Sequence, residues 1–168
     1  MKKLKNIFAT MILSMALAAS ITSCSGDDDN NNEPDEPAAQ SIAGTYSGNM
    51  TCTVMGSEEE YENMSYVITA TDDATVSIIL PGFGTPPMQL PDMTVTGLKV
   101  SGKDGVYTIA ATEFSGTSGQ GKVYSGAIKG SFENNTLTLD YSLQYGAMPM
   151  SMYFSFSAPK EQPRCQEV

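Results

Sequence analysis

The sequence predicts an all-β domain, about eight antiparallel strands in up-and-down order closed into a barrel. Three observations carry this. Apolar and polar side chains alternate with a period of two from residue 44 to residue 157. Turn signals at Asp72-Asp73, Asp104-Gly105 and Asn134-Asn135 separate the alternating runs. No amphipathic helix of useful length interrupts them. A sheet with one greasy face has edges to protect, and closure removes them. A β-sandwich shares the alternation, but the Cys…Trp…Cys pattern of the immunoglobulin type is missing because the chain has no Trp.

The strands follow in order. Tyr46, Gly48, Met50, Cys52 and Val54 share one face of the first. Met64, Tyr66, Ile68 and Ala70 share one face of the second, with Glu58-Glu59-Glu60 left in a solvated turn after Gly56. Val76, Ile78 and Leu80 mark the third, Val95 the fourth and Val106 to Thr112 the fifth. Tyr124, Gly126, Ile128, Gly130 and Phe132 form the sixth, and Leu137, Leu139, Tyr141, Leu143 and Tyr145 the seventh. The last reads from Met148 through Met150, Met152 and Phe154 to Phe156.

Gly44-Thr45-Tyr46-Ser47-Gly48, leading into Met50 to Gly56, resembles the opening strand of the calycin-like β-barrel lipoproteins of Bacteroidetes. The proline-rich Pro81 to Asp92 and the closing runs Leu137–Tyr145 and Met148–Ala158 are similar too. The resemblance covers essentially the whole domain and implies a calycin- or lipocalin-like barrel. Gly44-Thr45-Tyr46 also echoes the Gly-x-Trp of lipocalins, whose ring plugs the closed end, with Tyr in place of Trp. The basic side chain that accompanies that ring near the end of the last strand would be Lys160 or Arg164.

Ahead of the barrel lies an address. Lys2, Lys3 and Lys5 precede an apolar run, Ile7 to Ala19, shorter than the roughly 20 residues of a spanning helix. The run ends at Ile21-Thr22-Ser23-Cys24, which resembles a bacterial lipobox. This reading makes residues 1–23 a signal peptide, Cys24 the lipid attachment site and lipid the link to a membrane. Residues 24–41 are then an acidic tether with a reach of roughly 20–25 Å, too poor in apolar residues to order itself. The acidic Asp27-Asp28-Asp29 resembles the surface-export signal of Bacteroidetes lipoproteins, so an outer-membrane location is expected, facing either the cell surface or the periplasm. The barrel is assigned to residues 42–160 and a tail to 161–168.

Composition excludes several functions. The net charge is −10, and loss of residues 1–23 would remove three of nine basic residues and none of the 19 acidic ones. Such a chain is repelled by nucleic acid. With no His, the commonest general base is missing, and Cys52 has no basic neighbour in sequence to activate it, so no catalytic residue and no enzyme activity are expected. A disulfide between Cys52 and Cys165 is disfavoured if the last strand pairs with the first, because Cys165 then follows the far end of Cys52's strand. No cofactor is expected. Met148, Met150 and Met152 resemble a soft Cu(I) ligand set, but their parity continues into Phe154 and Phe156, so no metal site is assigned.

If the barrel closes, Met50, Met64, Tyr66, Tyr124, Tyr141, Met150, Met152 and Phe154 point inward. Adaptable thioethers and polar-tipped rings suit an apolar or amphipathic small molecule. The alternative is an interior filled by its own side chains, with the rim and loops binding a protein partner. Phe83 and Met88, in the unpatterned Pro81–Met88 stretch, are read as ligand-binding candidates that cap a barrel mouth or contact a partner, against the alternative of a plain packed loop.

Overall fold

The computed structural model describes residues 36–86 and 89–162. The signal segment, Cys24, the tether up to Asp35, Met88 and Cys165 lie outside the described residues. The elements are α1 (Ala38–Ile42), β1 (Gly44–Val54), β2 (Ser57–Asp72), β3 (Thr75–Leu80), β4 (Met93–Lys103), β5 (Val106–Thr117), β6 (Val123–Glu133), β7 (Thr136–Tyr145) and β8 (Met152–Pro159). Each strand pairs antiparallel with the next, and β8 returns to β1 to close the barrel in sequence order. The alternating pattern therefore folds as a tube rather than as two stacked layers.

Two-residue turns gather at one pole. Asp104-Gly105 (φ 55° and 79°) and Asn134-Asn135 (φ 51° and 60°) place both central residues at positive φ. That twist matches the right-handed twist of the flanking strands. At the β2–β3 turn the Ala74 N–H donates to Asp72 Oδ1 at 2.9 Å.

Helix α1 covers the same pole. Ala39 and Ile42 are fully buried, and the Ala39 N–H donates to the Asp73 carbonyl at 3.2 Å. The last residues assigned to the disordered tether, Ala38 to Ser41, are thus part of the fold. Ala38, Ala39 and Ile42 supply the apolar content that the acidic tract before them lacks. Tyr46, also fully buried, donates its hydroxyl to the Ile42 carbonyl at 2.6 Å and meets Phe132 edge-on. Lys160 bridges to Tyr46 and donates from Nζ to the Ser41 carbonyl at 3.0 Å. A Cβ at Gly44 would sit 2.7 Å from Lys160 Cε, so the glycine gives this lysine its path.

The other pole carries the Met55-Gly56 turn and the longer connections 81–92, 118–122 and 146–151. Here the structure corrects two sequence readings. Glu58, Glu59 and Glu60 are not in a turn. They lie in β2 opposite Thr53, Cys52 and Thr51. Between Gly48–Met64 and Met50–Tyr61 the ladder holds one extra residue in β2, with Asn63 at φ 57°. This bulge turns both Tyr61 and Met64 inward, and the break in parity hides the front of the strand from a period-two reading. Met148 to Ser151 are a loop, not the start of β8. Pro149 has no N–H to give a ladder. Met150 is 38 % exposed rather than inward.

The middle of the barrel is filled. Met50, Tyr66, Ile78, Ile109, Leu139 and Phe156 are each 2 % exposed or less. The β4–β5 ladder has only four pairs, Val100–Lys103 with Val106–Ile109. Further along that seam the Tyr124 hydroxyl, from β6, donates to the Thr94 carbonyl of β4 at 3.2 Å.

Candidate functional site

A cavity of about 770 Å³ opens at the long-loop pole, within the range of small-molecule sites. Three segments build it. The β1–β2 hairpin brings Cys52, Val54, Glu58, Glu59 and Tyr61. The β3–β4 connection brings Phe83, Gly84, Thr85 and Leu90. The β7–β8 connection and the start of β8 bring Met148, Pro149, Met150 and Met152. The two arms of the connection are tied by paired hydrogen bonds between Phe83 and Leu90, at 3.1 and 2.9 Å, and by the Gly82 N–H donating to Asp92 Oδ1 at 2.6 Å.

Aromatic rings lead from this mouth to its floor. Tyr61 meets Phe83 edge-on with centroids 5.0 Å apart, and Phe83 meets Phe154 at 5.4 Å. Phe154 stacks on Tyr141 at 4.6 Å, and Tyr66 lies against Phe156 at 4.0 Å. The Tyr66 and Tyr141 hydroxyls are 2.9 Å apart, and Tyr66 also reaches Met50 Sδ at 2.9 Å. Burial pushes both hydroxyls well above the ordinary tyrosine range.

One polar group faces the opening from the inner side. Glu59 stands opposite Cys52 on the β1–β2 ladder, and its Oε2 accepts from the Tyr61 hydroxyl at 2.9 Å. Burial and the adjacent carboxylate push Tyr61 up to about 12. The same two causes push the Cys52 thiol up, which removes thiolate character from the one cysteine among the described residues. Among the described residues no three His, Cys, Asp or Glu side chains gather to hold a metal ion.

The residues assigned from sequence divide into groups. Phe83, Met150 and Met152 line the cavity, Met150 from the rim. Phe154 lies directly beneath Phe83. Met50, Tyr66 and Tyr141 belong to the filled core, as does Met64, and they line no open volume at the mouth. Tyr124 sits at the β4–β5 seam. Sequence reasoning missed Glu59, Tyr61 and Leu90. The only available signal was the Met55-Gly56 pair, a good two-residue turn that starts β2 at Ser57. A second depression, about 420 Å³, lies on the outer wall around Thr53, Lys129, Asp140 and Tyr153. These side chains point away from the core, and Lys129 and Asp140 face each other there at 3.9 Å.

Comparison with known proteins agrees with this architecture. The family model described as calycin-like beta-barrel domain matches residues 42–158. Among solved structures the chain is similar to an inferred outer membrane protein from Bacteroides fragilis NCTC 9343, with a TM-score of 0.66 and 24% sequence identity. The match covers 74% of this chain and 53% of that one, so the chain spans about half of that protein's length. This likeness is one of fold. No curated protein matches the chain.

Proposed function

We propose a function from one premise: this chain belongs to the calycin-like β-barrel domain family. The domain is a non-enzymatic binding module that takes an apolar or amphipathic small molecule at its mouth. The observation that carries this reading is the cavity walled by Phe83, Leu90 and three methionines above a filled core. The ligand sits on top of the packed interior and does not thread the barrel.

The module is held to a membrane by lipid on Cys24, after removal of residues 1–23 and through the acidic tether. An outer-membrane location fits the lipobox-like Ile21–Cys24, and the structural neighbour's description points to the same compartment. Asp27 to Asp29 favour the cell-surface side. The described chain begins at the pole opposite the mouth.

A second reading is favoured by the exposed apolar side chains at the mouth end, Met55 (83 %), Val123 (65 %) and Met150. They suit a protein partner docking on the rim. Native mass spectrometry of protein purified from its own cell separates the two. A retained small molecule supports the first reading, and its repeated absence with a co-purifying protein supports the second. Met150→Trp is the companion test. The rim position gives the indole room to swing into the opening, so loss of ligand with an unchanged melting temperature is expected. Uptake equal to that of the parent chain would end the small-molecule reading.

A further inference from the structure

We infer that the mouth selects a cationic amphiphile: an apolar chain or ring system carrying one positively charged head of the alkylammonium kind. The inference rests on the mouth being a ligand site and adds the ligand's charge. Its first support is the charge of the wall. Glu58 and Glu59 line the cavity, and among the described residues no Lys or Arg does. Neither carboxylate is neutralised by a neighbour, since the ion pairs among the described residues are Lys103–Asp104 and Lys129–Asp140.

The second support is register. The pairing of Glu59 with Cys52 sets it on the inner side of β2, and the Tyr61 hydroxyl holds its Oε2 at 2.9 Å. The carboxylate is thereby fixed beside the opening. The third is the wall's chemistry. Tyr61 and Phe83 bring two aromatic rings to the wall, a ring type that attracts cations, and the methionine thioethers are polarizable and shape themselves to an alkyl chain. An anionic head in the same place would meet two carboxylates and, among the described residues, no counter-charge, on a chain whose net charge is already −10. The geometry that accepts an alkylammonium therefore rejects a fatty-acid carboxylate.

The test compares three ligands with the same ten-carbon tail: decyltrimethylammonium, decanol and decanoate. Each competes against the neutral fluorophore N-phenyl-1-naphthylamine on the full chain, at low ionic strength and below micelle formation. The cation is expected to displace the probe at about one-tenth the concentration that decanoate needs, as one nearby carboxylate in a partly wet mouth implies. The ratio should shrink in 0.5 M salt. Glu59→Gln, at an exposed position that leaves the core intact, should bring the three tails together, with Glu58→Gln showing a smaller effect. Equal displacement by cation and anion, or a preference untouched by Glu59→Gln, overturns the charge inference and leaves the apolar pocket standing. If the fluorophore and all three tails fail to bind, the pocket reading falls with it.

Discussion

The Tyr66 and Tyr141 hydroxyls meet inside an apolar barrel, with Met50 Sδ 2.9 Å from one and 3.4 Å from the other. Removing one hydroxyl leaves the other with only a weak thioether acceptor. Tyr66→Phe or Tyr141→Phe alone should cost about 1–2 kcal/mol by denaturant unfolding, and the double variant less than the sum. A strictly additive double variant would show that the pair is not coupled. The buried tyrosines also predict an alkaline limit. Their folded-state protons are held more tightly than in the unfolded chain, where tyrosine ionises near pH 10. For Tyr61, raised to about 12, and for Tyr46, Tyr66 and Tyr141, raised as well, the unfolded state loses protons first. Stability is therefore full below pH 10 and falls as pH climbs from 10 through 12. The urea midpoint should be lower at pH 11 than at pH 9. At this scale most inward residues were legible because parity alone decides them. Met150 was misplaced because its parity matches that of Met152 while Pro149 keeps the segment out of the ladder.

The connections decide which element stays in register. Asn134 and Asn135 both hold positive φ in the β6–β7 turn, between the Glu133–Thr136 pair and the strands beyond. A β-branched residue pays a steric penalty there, so Asn134→Val should destabilise by about 1–2 kcal/mol, while Asn135→Gly should be neutral or slightly stabilising. Helix α1 is the element that sequence reading missed. Five residues show no helical period, and the acidic tract in front suggests more of the same. Its contribution comes from what it covers, so Ile42→Ala should cost about 2–4 kcal/mol, read by thermal or chemical unfolding. A loss under 0.5 kcal/mol would mean that the plug is dispensable. At the β4–β5 seam, Tyr124→Phe removes the hydroxyl that reaches the Thr94 carbonyl. Faster amide exchange in Met93–Lys99 and Ala110–Thr117, with the Asn134–Asn135 hairpin unchanged, is the expected result. Strand existence was legible from alternation. Strand length was not, because bulges in β2, β4 and β5 each shift the parity by one.

The barrel has one sealed end and one open end, and the chain uses them unequally. The closed barrel followed from strand order and short turns. The location of the open volume did not, because it depends on loops that carry no period and on Glu59 and Tyr61 lying ahead of a bulge. The sealed end is where the chain both enters and leaves. Glu161 N–H donates to the Thr45 carbonyl at 2.9 Å, and Lys160 spans the α1–β1 junction. Two strands of covalent continuity thus pass side by side through a single patch, opposite the mouth. A short peptide joining residue 162 to residue 36 would close the backbone into a ring without crossing the opening, and new ends cut within residues 118–122 should leave the same far-UV spectrum and the same cavity. Neighbouring ends of this kind should let the domain act as a cassette, spliced into a host protein's surface loop through the pole that does not carry the mouth.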